Sequence, residues 1–244
     1  MDHFLFCSSV LLGLCLIHIP PQCQALASST TPNAKTYDVV IIGGGSAGLT
    51  AAKVASTFGK STIIVEGNKM GGDCTWTGCV PSKSLIAAAK AAHTIRTASE
   101  RFGGVKPSGG GVSIDMKAIK KTVQSKIEHI HDEDDSPEAM AKLGIDTIVG
   151  QKATFVDKTT ISLSGGETLI AKMGIIVATG ASPIEPTDDI IDGLSTVPFL
   201  TYENIFELEE LPGRLTIVGG GPIGCELSQA FARLGSTVTQ VADT

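Results

Sequence analysis

One pattern occurs twice in the 244 residues, at an offset of 176 positions, and it constrains the fold more than any other feature. The first copy runs from Tyr37 through DVVIIGGGSAGLTAAKVASTFGKSTIIVE to Gly67, and the second from Arg214 through LTIVGGGPIGCELSQAFARLGSTVTQVAD to Thr244. Gly43, Gly45, Gly48 and Gly59 of the first fall on Gly219, Gly221, Gly224 and Gly235 of the second. Each copy reads as a β-branched apolar run, a glycine turn, a helical stretch ending at glycine, and a second apolar run. That order is strand, helix, strand, and parallel strands joined through helices predict an α/β protein built on a doubly wound parallel sheet.

The glycine spacing, G-x-G-x-x-G, has a physical reading. The first glycine permits the tight turn out of the strand, the second lets backbone approach a pyrophosphate, and the third lets the helix pack close to the strand. Phosphates then meet unpaired amide N–H groups at the positive end of a helix. A single such motif is weak evidence. Here each follows a strand-like run, opens a helical one and leads to a second strand, so both copies read as Rossmann-type nucleotide-binding units. Glu66 lies 23 residues past Gly43, at the end of the second strand, where a carboxylate accepts the ribose hydroxyls of an adenosine. The same offset from Gly219 lands on Ala242, with Asp243 one step on. Either the two copies bind different nucleotides, or the second tolerates a 2′-phosphate.

Charge narrows the class of ligand. A formal net charge of −6 and a pI near 5.4 give no basic footprint for nucleic acid, and 5% aromatic residues disfavour a stacking platform for single strands. Residues 4–19 form an apolar run that is short for a membrane span of about 20 residues, and Ala25-Leu26-Ala27 after it has the form of a cleavage site. Residues 1–27 are therefore expected to be a signal peptide, although Met1-Asp2-His3 lacks the usual basic residue. The hydroxyl-rich 28–36 reads as a linker or as the transit half of a two-step address, so the secretory pathway and a plastid both remain open.

Cleavage would remove Cys7, Cys15 and Cys23. Cys225, inside a helical pattern, is expected to be a small buried thiol. Cys74 and Cys79 sit in GGDCTWTGCVPSK. On a regular helix, residues five apart would place their Cα atoms about 8–9 Å from each other, beyond the roughly 7 Å limit for a disulfide. Residues 74–78 are thus expected to be loop or distorted helix, with Gly78 supplying an unusual backbone angle. Pro81 suits the first turn of a helix, and SKSLIAAAKAA is strongly helix-forming. Cys79 is then expected at a helix N-terminus, a position that favours a thiolate. A zinc half-site is the other reading, but C-x₄-C is poor ligand spacing and no second ligand pair follows, so no metal site is expected.

The stretch GGDCTWTGCVPSK closely resembles the redox signature of class I pyridine nucleotide–disulfide oxidoreductases, in particular their mercuric reductase-like and dihydrolipoamide dehydrogenase-like branches. The resemblance runs from Tyr37 to Thr244 and takes in Ile175-IVATGASP and Val149-GQKATFVD. It implies an FAD-binding domain over 37–198 that includes the cysteine pair, and the first part of an NAD(P)-binding domain over 199–244. By the same resemblance Gly43, Gly45, Ser46, Ala47, Gly48, Glu66 and Gly72 contact FAD, as do Lys83, Ala153, Thr179 and Gly180. Gly219, Gly221, Pro222, Ile223 and Gly224 would frame NAD(P)H, with Glu226 a partner for Lys83. The implied chemistry passes a hydride from NAD(P)H to the flavin and opens a Cys74–Cys79 disulfide through Cys79. Cys74 then exchanges with the acceptor, a disulfide such as glutathione disulfide or lipoamide, or a metal ion such as Hg(II).

Other candidates carry less. His93, His129 and His131 read as exposed or structural. The run His131-Asp-Glu-Asp-Asp135 precedes Ser136-Pro137-Glu138 and reads as a helix end and a new helix start, not a metal site. Members of the resembled family continue past a segment equivalent to Thr244 with a second FAD contact stretch and a dimer-interface domain bearing a His-Glu pair. The resemblance thus implies a C-terminally truncated chain that is a homodimer when full length. A non-catalytic nucleotide-binding fragment is the alternative.

Overall fold

A computed structural model describes residues 2–6, 34–105 and 111–242. The leader expected over 1–27 lies outside these, apart from strand β1 (Asp2–Phe6), as do the linker up to residue 33 and Asp243. The first repeat gives β2 (Ala34–Ile42), α1 (Ser46–Thr57) and β3 (Thr62–Glu66). The cysteine stretch gives a five-residue helix, α2 (Gly72–Trp76), and then the long α3 (Cys79–Phe102). Helix α4 (Met116–Ile130) runs into a π-helical turn over His131–Asp135 before α5 (Pro137–Lys142) and β4 (Ile145–Val149). Strands β5 (Ala153–Phe155), β6 (Thr160–Leu163) and β7 (Thr168–Val177) follow, then β8 (Phe199–Thr201). The second repeat gives β9 (Arg214–Val218), α6 (Pro222–Leu234) and β10 (Thr237–Val241).

The chain divides into two units, one holding the described residues among 12–75 and 129–180, the other those among 1–11, 76–128 and 181–244. Both are discontinuous in sequence. The reason is α3, whose apolar face of Leu85, Ala89 and Ala92 packs with Leu227, Ala230, Phe231 and Leu234 of α6. Arg96 of α3 adds a polar tie, its guanidinium donating to the carbonyls of Arg233 and, at 2.5 Å, Leu234 at the C-terminal end of α6.

In the unit containing β2, the sheet order is β4-β3-β2-β7-β6-β5, with β4, β3, β2 and β7 mutually parallel. Both faces of its centre are covered, so Val39–Ile42 of β2 and Ile63–Val65 of β3 are continuous apolar runs without alternation. Val40, Ile63 and Val65 pack on one side with Ile161, Leu163 and Leu169. Ile41 and Ile64 pack on the other with Leu49 and Ala52 of α1 and with Met140 of α5. Each of these Val, Ile, Leu and Met side chains contributes about 1.5–3 kcal/mol on burial. The α/β class and parallel sheet are as expected; the antiparallel run β7-β6-β5 is an addition.

The other unit carries the order β10-β9-β1-β8, all parallel. Among the described residues, no helix is long and apolar enough to cross a membrane.

Candidate functional site

The two glycine turns have the same architecture, residue for residue. Gly43 and Gly219 leave their strands at φ +107° and +119°, in the left-handed region that favours glycine. Their amides donate to the carbonyls of Val65 and Val241, each at 2.8 Å. A Cβ built on Gly48 would lie 1.9 Å from the Gly43 carbonyl oxygen, and one on Gly224 would lie 2.4 Å from that of Gly219. The third glycine of each motif is therefore demanded by contact with the first. Helices α1 and α6 begin after Gly45 and Gly221, both extended, and neither N-terminus has a side-chain cap or an acidic residue in its first turn. Ser46 and Ala47 stand in the first turn of α1, and Pro222 and Ile223 in that of α6; the amides of Ser46, Ala47 and Ile223 have no intrahelical acceptor, while Pro222 has no N–H to offer.

At the first turn the sequence-predicted residues converge. Glu66 ends β3, its Oε2 accepting the Gly44 amide at 2.6 Å and its Oε1 the Asn68 amide at 2.8 Å. The Gly71 amide donates to the Gly44 carbonyl, and Gly72 comes so close to Gly45 that a Cβ on it would lie 2.7 Å from the Gly45 Cα. Ala178, at the end of β7, brings Thr179 and Gly180 alongside, since a Cβ on Gly43 would lie 3.0 Å from the Thr179 amide nitrogen. The Glu66 carbonyl accepts the amides of Gly150 and Gln151, which draws the start of the 149–157 stretch to the same sheet edge; Ala153 follows in β5. The cradle of glycine backbone, open amides and a fixed carboxylate fits a dinucleotide.

At the second turn Ala242 stands where Glu66 stands in the first. A Cβ on Gly220 would lie 2.8 Å from the Ala242 Cβ, as one on Gly44 would lie 3.3 Å from the Glu66 Cβ. The turn is held instead by Gln240, whose Nε2 donates to the Gly219 carbonyl at 2.9 Å, and by Cys225, whose thiol faces the Gly220 carbonyl at 3.5 Å. Cys225 is exposed, which corrects the buried thiol expected from its helical setting; that helix position meets the turn, not the core. Lys83 of α3 and Glu226 of α6 form an ion pair at 2.9 Å. Their side chains are 62% and 43% exposed, so the pair adds at most about 1 kcal/mol of stability.

Cys74 lies half-buried in α2, and Cys79 is exposed as the first residue of α3. Between them Gly78 adopts φ −117°, ψ −105°, neither helical nor extended. Burial pushes the carboxyl of Asp73, beside Cys74, above the usual carboxylate range. Composition gave no signal for one further partner of this stretch: Thr75 donates to the buried carboxylate of Asp135 at 2.6 Å. The acidic run is a π-helical turn that ends at Ser136, whose hydroxyl accepts the Ala139 amide and so caps the start of α5. No cluster able to hold a metal ion occurs among the described residues.

Two glycine turns of this geometry, one closed by a carboxylate and one without, define a protein with two Rossmann-type dinucleotide-binding units. The chain belongs to the pyridine nucleotide-disulphide oxidoreductase family, whose model matches residues 37–244. Members of this family use FAD and NAD(P)H. The mercuric reductase of Streptomyces lividans is 38% identical over 206 residues, covering 83% of this chain and 42% of the relative. The dihydrolipoyl dehydrogenase of Bacillus subtilis is 32% identical over 203 residues, covering 82% and 43%. Among solved structures, the HOCl-induced flavoprotein disulfide reductase RclA from Escherichia coli matches with a TM-score of 0.66 at 27% identity, covering 84% of this chain and 41% of that one. The chain thus spans less than half the length of these relatives.

Proposed function

We propose that this chain is the nucleotide-binding part of an FAD-dependent reductase that passes electrons from NAD(P)H, through FAD and the Cys74–Cys79 pair, to a disulfide or metal-ion acceptor. The observation that carries the reading is the placement of Cys79 at the head of α3, directly after Gly78, in a chain with two matching nucleotide turns. When bound, the two cofactors supply hydride transfer and its relay to sulfur. The residues supply the rest. The amides of Ser46 and Ala47, and that of Ile223 beyond the N–H-less Pro222, bind pyrophosphate, and Glu66 orients a ribose. Cys79 and Cys74 exchange between thiol and disulfide, Cys74 with the acceptor. Ala242 leaves the second turn without an acid to repel a 2′-phosphate, which favours NADPH over NADH. Homodimeric assembly of the full-length protein, and routing to the secretory pathway or a plastid by a signal peptide over 1–27, belong to the same reading.

A second reading is a nucleotide-binding chain without turnover. The test is a flavin-to-protein ratio after reconstitution, a peptide map for a Cys74–Cys79 link after diamide oxidation, and NADPH consumption with glutathione disulfide, lipoamide and Hg(II). Flavin binding with the cysteine link supports the redox reading. Flavin without the link leaves only the second reading, and absence of flavin overturns both.

A further inference from the structure

We infer that Asp135 is a positioning residue for Cys74, acting through Thr75; this rests on the exchange role proposed for Cys74 above. Helix α2 has only five residues, too short to hold itself in place. Glycines bound it, with Gly71 at φ +103° before it, Gly72 at φ +57° as its first residue and Gly78 after it. On its inward side, Thr75 is 3% exposed and donates its hydroxyl to Asp135 Oδ2 at 2.6 Å, a bond between residues 60 apart in sequence. Asp135 is itself 9% exposed. A hydrogen bond to a buried carboxylate is the strong kind, worth roughly twice a neutral one.

The acceptor is built for the purpose by an irregular turn. His131–Asp135 is π-helical and closed by the Ser136 amide donating to the His131 carbonyl at 2.7 Å. One extra residue in a helical turn re-aims the side chains that follow it, and such turns gather at functional sites. Lys53 of α1 braces it, donating to the Asp134 carbonyl at 2.9 Å with its Nζ 4.0 Å from Asp135 Oδ1. Helix α1 is the helix of the first nucleotide turn. A chain of three side chains therefore ties that helix to the residue next to Cys74.

The bond holds α2 in one pose and keeps Cys74 half-buried until its exchange partner arrives. The test is the rate of iodoacetamide labelling of Cys74 in the reduced chain, read by peptide mass spectrometry with Cys225 as internal reference, well below each variant's melting temperature. Thr75→Val should raise the Cys74-to-Cys225 ratio at least fivefold. Thr75→Ser, which keeps the hydroxyl, should stay within twofold of wild type. Asp135→Ala should match Thr75→Val, and the double variant should exceed neither, because both remove one contact. An unchanged ratio in Thr75→Val, failure of serine to restore it, or effects that multiply in the double variant would overturn the inference. A missing Cys74–Cys79 link in oxidised wild type would instead overturn the exchange role alone.

Discussion

The Glu66 carboxylate accepts the Gly44 amide at 2.6 Å across the first nucleotide turn. One side chain therefore closes the turn and, in the role proposed for it, orients the acid towards a ribose. Glu66→Ala leaves the Gly44 and Asn68 amides without this acceptor, at a cost of about 1–3 kcal/mol. The expected outcome is a lower melting temperature and at least tenfold weaker FAD binding, with Glu66→Gln between the two. Calorimetry and flavin fluorescence titration check it; an alanine variant with unchanged flavin affinity would count against the ribose role.

Ala242 occupies the matching slot of the second turn. Ala242→Glu should restore the missing acceptor and shift the NADH-to-NADPH affinity ratio at least tenfold towards NADH. Titration of both nucleotides against wild type and variant measures it. An unmoved ratio would show that selectivity is decided elsewhere.

Gly48 has no room for a methyl group, since its Cβ would lie 1.9 Å from the Gly43 carbonyl oxygen, whereas Gly174 has nothing within 4 Å. Gly48→Ala should cost at least about 3 kcal/mol through forced backbone movement, and Gly174→Ala less than about 1 kcal/mol. Urea denaturation of the pair decides it. Equal midpoints would mean that the turn relaxes freely.

Arg96 serves two carbonyls at the end of α6. Arg96→Ala should destabilise the chain by about 1–3 kcal/mol, because these acceptors sit at a helix terminus that Gly235 alone would then end. The same denaturation series reads the loss, and a change below about 0.5 kcal/mol would remove the capping role.

Tyr37 donates to Asp146 at 2.7 Å, and burial with that bond pushes its phenol up to about 12 from 10.0. The folded state holds the proton that the unfolded state gives up near 10. This contribution to stability is therefore full below pH 10 and is lost as pH rises towards 12. Tyr37→Phe should flatten the fall in melting temperature across that window. A Phe variant with the wild-type slope would place the alkaline sensitivity on another group.

The repeat was legible in the sequence because its signals are local: glycines at fixed spacing, β-branched runs and a glycine helix stop all act within thirty residues. Strands, helices and turn of both copies follow from them, as does Glu66. Partnerships at long range were not legible. Thr75 and Asp135 meet only because a π-helical turn displaces the carboxylate by one residue, and no periodicity announces such an insertion. The antiparallel β5 and β6 are three and four residues long, too short for an alternation to stand out. Cys225 misled because a helix position that meets core in the first copy, where Leu49 stands, meets the turn's own carbonyl in the second.

The pairing of β2 has a consequence for synthesis. One edge joins β3 almost at once, Ile41 beside Ile64, but the other must wait for β7, Ile41 beside Ile176. At about 5–20 residues per second, a ribosome needs on the order of ten seconds to make the intervening chain. For that time the apolar Val39–Ile42 end of β2 shows a bare edge, the usual template for association between nascent chains. Expression yield should accordingly depend on whatever shields residues 39–42 during translation, such as a holdase chaperone, more than on the stability of the finished sheet.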